Sequence, residues 1–382
     1  MLINKKTILS ALLSAIACMA ATPSVAQGPG PGGGGPGGGG PGGPQRNFPA
    51  ADAQSLKIVA AADAFLATLS PEQKKAVLFQ FKDADQRTKW SNFPSDFFKR
   101  SGVRWGEMNE TQRAAMTDLL GAVLSPRGMK MIQEQMAADN ITRDTEPRST
   151  GDRRPPSAAA GAPQVHFGSD YFFVSFVGTP SATAPWMLQF SAHHLALNAT
   201  VVGPHVTLSP TLNGGEPLHF TKDGKPVYIV EEEATKAQAL LASLTPAQRK
   251  TAVMSDKLIQ LVLGPGHDGQ TLQPEGLSGR AMTAAQKVKF LALIEARIGI
   301  LNADDLAEAM APIRKHLDET YFAWYGPIDP VGAAYVRVTG PTAIIEFSPQ
   351  ENDLRFPQPT EHDHNMYRDP TNEYGAAWTA LR

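Results

Sequence analysis

Between Gly28 and Pro44 the chain is built almost entirely of glycine and proline. Such a segment has no apolar side chain to bury and cannot offset the entropy of ordering, so it predicts a flexible tether and not a folded element. Its glycines lack a strict three-residue period, which excludes a collagen-like helix. The chain therefore divides into residues 1–26, a tether over 27–50, and a body over 51–382.

The first division has the form of an export signal. Lys5 and Lys6 supply its positive start, and Thr7 to Ala20 is an apolar run too short to span a bilayer comfortably. Ser24-Val25-Ala26 places small residues where a signal peptidase reads, which predicts cleavage before Gln27. An uncleaved anchor is one alternative. Lipid modification of Cys18 is another, although Ala15 stands where a leucine is usual. Cys18 is the only cysteine, so a chain cleaved before Gln27 has neither a disulfide nor a thiolate metal ligand. The expected location is the periplasm or the medium, with no transmembrane helix in the mature chain.

Lys+Arg 35 against Asp+Glu 37 leaves a net charge of −2. With no clustered positive charge, a nucleic-acid partner is not expected. A small-molecule substrate or a metal ion is the partner class left, and the oligomeric state stays open.

Helix starts punctuate the body. Ser70-Pro71-Glu72-Gln73 has a capping residue, a proline suited to the first turn and a glutamine that closes a capping box. Asn109 to Gln112 starts a helix to about Leu124, and Ser125-Pro126 one to about Ala138. Thr245 to Gln248 starts a helix to about Leu263, and Thr283 to Gln286 one to about Ile298. Asp52 to Leu69 and Asp304 to His316 are helical by pattern, and acidic residues such as Glu231 to Glu233, Asp304 and Asp305 suit a first turn. Ser70 and Asn109 are 39 residues apart and Thr245 and Thr283 are 38 apart, which suggests an internal duplication of a helical pair, against a chance recurrence of caps.

Two stretches have β character. Tyr171 to Val177, Trp186 to Phe190, Leu195 to Val202 and Val206 to Leu208 form the first; Tyr321 to Tyr325, Ala334 to Val338 and Ala343 to Phe347 form the second. The simplest architecture is a single α+β domain, an antiparallel sheet built from two sequence-distant β segments with flanking helical pairs.

Nine histidines carry the clearest chemical signal. His362 and His364 are two apart, so in extended chain they share a face and can reach one ion. His193 and His194 are adjacent and would diverge in a strand unless a bend intervenes. His205 follows the Gly203-Pro204 turn within plausible reach. Neutral imidazoles suit zinc, copper, iron or nickel. Asp369 or Glu346 is expected as the general base or as a hydrogen-bond partner behind a ligand, and Arg368 at the rim of the pocket as a holder of an anionic substrate group. The plain alternative is a set of hydrogen-bonded structural histidines. Gly264 to Gly269 lacks the lysine of a phosphate loop and reads as an ordinary loop.

Several runs together resemble a bacterial family, domain of unknown function 3500: Gly178-Thr179-Pro180-Ser181-Ala182-Thr183, Trp186, His193-His194-Leu195-Ala196-Leu197-Asn198, Gly340-Pro341-Thr342, Glu346-Phe347, and His362-x-His364 followed by Arg368-Asp369-Pro370. The chain departs from the family pattern at Leu188-Gln189 and at Ala192. The resemblance implies one shared site containing His193, His194, His362, His364, Arg368 and Asp369, but it implies no reaction. Three functions stay open: a metal-dependent enzyme, hydrolytic or oxidative; a metal- or small-ligand-binding protein without catalysis; and a structural surface protein.

Overall fold

The computed structural model describes residues 48–145, 165–350 and 359–379. The export signal, the cleavage site, Cys18 and the Gly/Pro tract lie outside the described residues, as does most of the Pro/Ser/Arg-rich stretch before Val165. Among the described residues, no helix is long and apolar enough to cross a membrane.

The capping residues read from the sequence do cap. The Ser70 hydroxyl accepts from the Gln73 amide while the Gln73 side chain accepts from the Ser70 amide, starting the helix Pro71–Val77. Reciprocal bonds of this kind start Glu110–Val123 at Asn109, Pro246–Ala252 at Thr245, and Ala284–Ile298 at Thr283. Each box satisfies amides that the first helical turn leaves without a partner. The glutamines also join the helices in pairs. Gln112 donates to Gln73 at 2.8 Å and to the Thr68 carbonyl, and Gln286 donates to Gln248 at 2.9 Å and to the Ser243 carbonyl.

Boundaries differ where tertiary pairing competes with local preference. The helix from Thr245 stops at Ala252 and not near Leu263, because Val253–Ser255 leaves it as a strand that pairs parallel with Tyr321–Tyr325. The helix from Pro126 runs on to Thr145, a full two turns past Ala138. Aromatic Tyr171 belongs to a short 3-10 turn, and the strand begins at Phe173.

In chain order the strands are β1 Leu78–Phe79, β2 Val103–Arg104, β3 Phe173–Val177, β4 Trp186–Ala192, β5 Leu195–Val202, β6 His205–Thr207, β7 Thr211–Gly215, β8 His219–Lys222, β9 Lys225–Tyr228, β10 Val253–Ser255, β11 Leu277–Ser278, β12 Tyr321–Tyr325, β13 Tyr335–Thr339, β14 Ile344–Pro349 and β15 Asp363–Arg368. The main sheet runs β1-β3-β4-β5-β7-β15-β14-β13-β12-β10. It is antiparallel apart from the β1–β3 and β10–β12 pairs at its two edges. The two sequence-distant β segments therefore make one α+β sheet, joined where β7 pairs with β15. The element order of the first half recurs in the second: a capped short helix, a parallel edge strand, a capped long helix, a further helix, then antiparallel strands.

Both sheet faces are covered. One carries the main core, in which Phe65, Phe176 and Trp186 stack in sequence and Phe290 meets Phe322 edge-on. The other carries Trp90, Val177, Met187, Ala196, Leu212, Met366 and Tyr374. Double coverage explains why β4, β5, β14 and β15 are buried at every position and show little polar alternation.

The helix Ala303–Lys315 carries Asp304 and Asp305 in its first turn. Asp305 is buried, and burial pushes its carboxyl up to about 7 despite the hydrogen bond from Asn302. The folded chain then holds a proton that the unfolded chain releases near pH 4, so this contribution to stability is full below about pH 4 and is lost as pH rises through about 7. Asp305→Asn is expected to flatten that part of the stability profile, as read by urea unfolding from pH 4 to 8. An unchanged slope would show that Asp305 titrates normally.

Candidate metal centre

The closing pair Ala192↔Leu195 leaves His193 and His194 as the two residues of the β4–β5 turn. His194 has φ 59°, a left-handed conformation that favours glycine and costs a larger side chain about 1 kcal/mol or more. This bend brings together two rings that a strand would separate: their centroids are 3.7 Å apart. The turn is held from outside. The His194 amide donates to the Asn92 carbonyl, and the Arg100 guanidinium ties the carbonyls of Ser91, Phe93 and Ala192 at 2.6–2.8 Å. Burial pushes the Arg100 pKa down to about 10, still charged at neutral pH.

Strand register supplies the other two histidines. β5 and β15 both run antiparallel to β7, so they run the same way on either side of it. Leu195 and Asn365 flank Asn213; His364 pairs with Gly214, and His194 precedes Leu195 in the turn. A side chain at Gly214 would place its Cβ 2.0 Å from the Asp363 carbonyl oxygen. The glycine thus lets the backbone of β15 come close to β7 at the position of His364. His194 Nε2 lies 2.9 Å from His362 Nε2, which lies 3.2 Å from His364 Nε2. Three imidazoles around a tetrahedral ion, at ~2.0–2.1 Å from it, would have their nitrogens ~3.3 Å apart. The observed spacing fits that set.

His194 and His364 are buried and His362 is half-buried. Burial first, then the neighbouring His362 and His193 rings, holds His364 well below the usual histidine range. At neutral pH it carries no charge, which is the form that ligates. The Asn92 amide sits 3.1 Å from its Nε2.

A second set overlaps the first. Ligating atoms of His193, His194 and Glu216 lie within 4.8 Å of one another, and all three residues are buried. His193 Nδ1 is 2.8 Å from an Asp139 oxygen, and the other Asp139 oxygen accepts from the Gly168 amide. Gln135, one helical turn before Asp139, donates to the carbonyls of His194 and Gly214. Asp139, Gln135, Glu216 and Asn92 are absent from the sequence-based site. The i, i+4 spacing of Gln135 and Asp139 on one polar helix face was the only local hint, and it fell where the helix was expected to end.

The other candidates lie elsewhere. Glu346 is fully buried and accepts from the amides of Val262 and Leu263 at 2.8 Å and from the Tyr335 hydroxyl at 2.6 Å. Arg368 stands four residues along β15 from His364, roughly 13 Å at strand spacing. It is also fully buried, so it is not at the rim of a pocket. Its guanidinium donates to the Leu263 and Gly264 carbonyls, to Glu373 at 2.5 Å and to Asp268 at 3.3 Å. The glycine-rich loop, whose phosphate-loop likeness is superficial, is therefore clamped by Arg368. Asp369 accepts from the Thr371 amide and hydroxyl in a turn, and burial raises its pKa. The Gly203-Pro204 turn does lead β5 back into β6, but His205 starts at the far end of the eight-residue β5 from His194, where it pairs with Glu308 and stacks on Trp378.

The fold and site define an α+β protein with a buried histidine cluster where two distant chain segments meet. The chain belongs to the family described as "Protein of unknown function (DUF3500)", whose pattern matches residues 51–376. No curated protein and no solved structure matches it.

Replacing Arg368 by methionine strands the Glu373 and Asp268 carboxylates without their cation, and is expected to cost about 3–5 kcal/mol of stability while leaving zinc uptake by the chain as in wild type. Chemical denaturation beside a zinc titration checks both halves. A stable variant with impaired metal binding would place Arg368 in the site after all.

Proposed function

We propose that His194, His362 and His364 hold one divalent transition-metal ion and that this exported protein is a metal-dependent enzyme, hydrolytic or oxidative, acting on a small molecule. The observation that carries the reading is the approach of three Nε2 atoms from a strained turn and a distant strand, with no carboxylate in the trio. An ion held by three imidazoles keeps positions for water, oxygen or substrate, and supplies Lewis-acid or redox chemistry there. Zinc, copper, iron and nickel all suit the donors. The buried, neutral state of His364 and the clamping of the turn by Arg100 and Asn92 support a preorganised ligand set. His362, the half-buried member, is the side from which a ligand would arrive.

Binding without catalysis is the second reading. The burial of His194 and His364 favours it, because only a small ligand reaches donors so enclosed. Glu346, Arg368 and Asp369 are proposed to act through the loop and turns they hold, since their bonds go there.

Metal analysis by mass spectrometry on untagged protein is expected to find at least one metal ion per chain, with one ion fewer in His362→Ala/His364→Ala. No metal in the native protein, even after reconstitution, would overturn the reading. Turnover by the loaded protein separates the enzyme from the binding protein. The export reading rests on Lys5, Lys6, the apolar run and Ser24-Val25-Ala26. N-terminal sequencing of the periplasmic fraction is expected to begin at Gln27. A lipid on Cys18 would mean an anchored form instead.

A further inference from the structure

Three imidazoles account for only part of the cluster. His193, His194 and Glu216 form another group of convergent donors, and no member of it is exposed. His193 has the support expected of a ligand: one ring nitrogen, Nδ1, meets the Asp139 carboxylate at 2.8 Å, which directs Nε2 elsewhere. A carboxylate behind a ligating histidine fixes its ring orientation and raises its basicity. Asp139 is itself fixed by the Gly168 amide, and the Glu216 backbone by the bond from Thr142 to its carbonyl; Asp139 and Thr142 both belong to the helix Pro126–Thr145. His194 belongs to both groups, and its left-handed backbone sets its ring against His193 on one side and near His362 on the other.

We propose that a second divalent transition-metal ion is held by His193, His194 and Glu216, so that the centre is dinuclear and His194 is shared through its two ring nitrogens. The inference rests on the three-histidine reading above. Sharing requires the His194 ring to lose its N–H proton to solvent when the second ion binds, leaving an imidazolate with one lone pair for each ion. With bonds of about 2 Å on either side of the ring, the ions would stand about 6 Å apart. The two positions differ in chemistry. The first has only imidazoles and a half-exposed member, and the second has a carboxylate and no exposed member. The second position suits an ion that tunes the shared histidine and is not itself reached by substrate.

The test is zinc stoichiometry on the full chain after chelator treatment, with copper loading as a spectroscopic partner. Wild type is expected to take two zinc ions per chain. Glu216→Gln, which keeps the shape of the side chain, should take one, as should His362→Ala/His364→Ala. The dicopper form should show magnetic coupling across the imidazolate, and Glu216→Gln loaded with copper should show an ordinary single-ion signal. The copper measurement on wild type does not depend on any variant folding. One zinc per chain, with Glu216→Gln no different from wild type, would overturn the second ion and leave the three-histidine site standing. No zinc at all would remove both. Two zinc ions with two uncoupled copper signals would overturn the sharing of His194.

Discussion

The pairing of β7 with β15 is the constraint on which the rest of the structure depends. Five residue pairs from Asp363↔Gly215 to Tyr367↔Thr211 join two β segments that lie some 150 residues apart in the chain. Without this ladder each half would end in an open edge of buried strand, with main-chain groups lacking partners. With it, one sheet passes continuously from β1 to β10 and both helical pairs cover the same face. The same register sets the site, because it puts residue 364 beside the row that holds the β4–β5 turn.

The histidine cluster shows how a local penalty is sustained by its surroundings. A histidine in the left-handed region, next to a second histidine and opposite two more, is not what backbone preference or electrostatics would select. Arg100, Asn92, Gln135 and Asp139 hold the turn from separate elements, so relaxing it would break several buried hydrogen bonds at once. Strain kept by so many contacts is more usual at functional sites than in ordinary turns.

Glu346 and Arg368, near the cluster in sequence, make their bonds to one loop. Glu346 and Arg368 bind the two ends of the same segment, Val262-Leu263 by its amides and Leu263-Gly264 by its carbonyls. They fasten an irregular loop to the sheet face opposite the helical pairs, beside Trp90 and Tyr374, which are bonded to each other. These charged clamps keep the loop in place on that face, beside the short helix Ala84–Arg87. Closeness in sequence to a histidine motif suggested chemistry. Along a strand, four residues are enough to carry a side chain out of the site.

The chain's local grammar determined a good deal by itself. Helix starts at Ser70, Asn109, Thr245 and Thr283 were legible because a capping box is complete within four residues, and β5 and β12 were legible because their β-branched and aromatic runs have clear punctuation. The α+β class and the union of two β segments could also be read. Only the tertiary structure decided that the Thr245 helix yields to a strand, that His193 and His194 form a turn, that His205 falls away, and that Asp139 and Glu216 stand behind the cluster. The physical reason is that these depend on strand register and on contacts between residues tens to hundreds of positions apart, which no window of sequence contains.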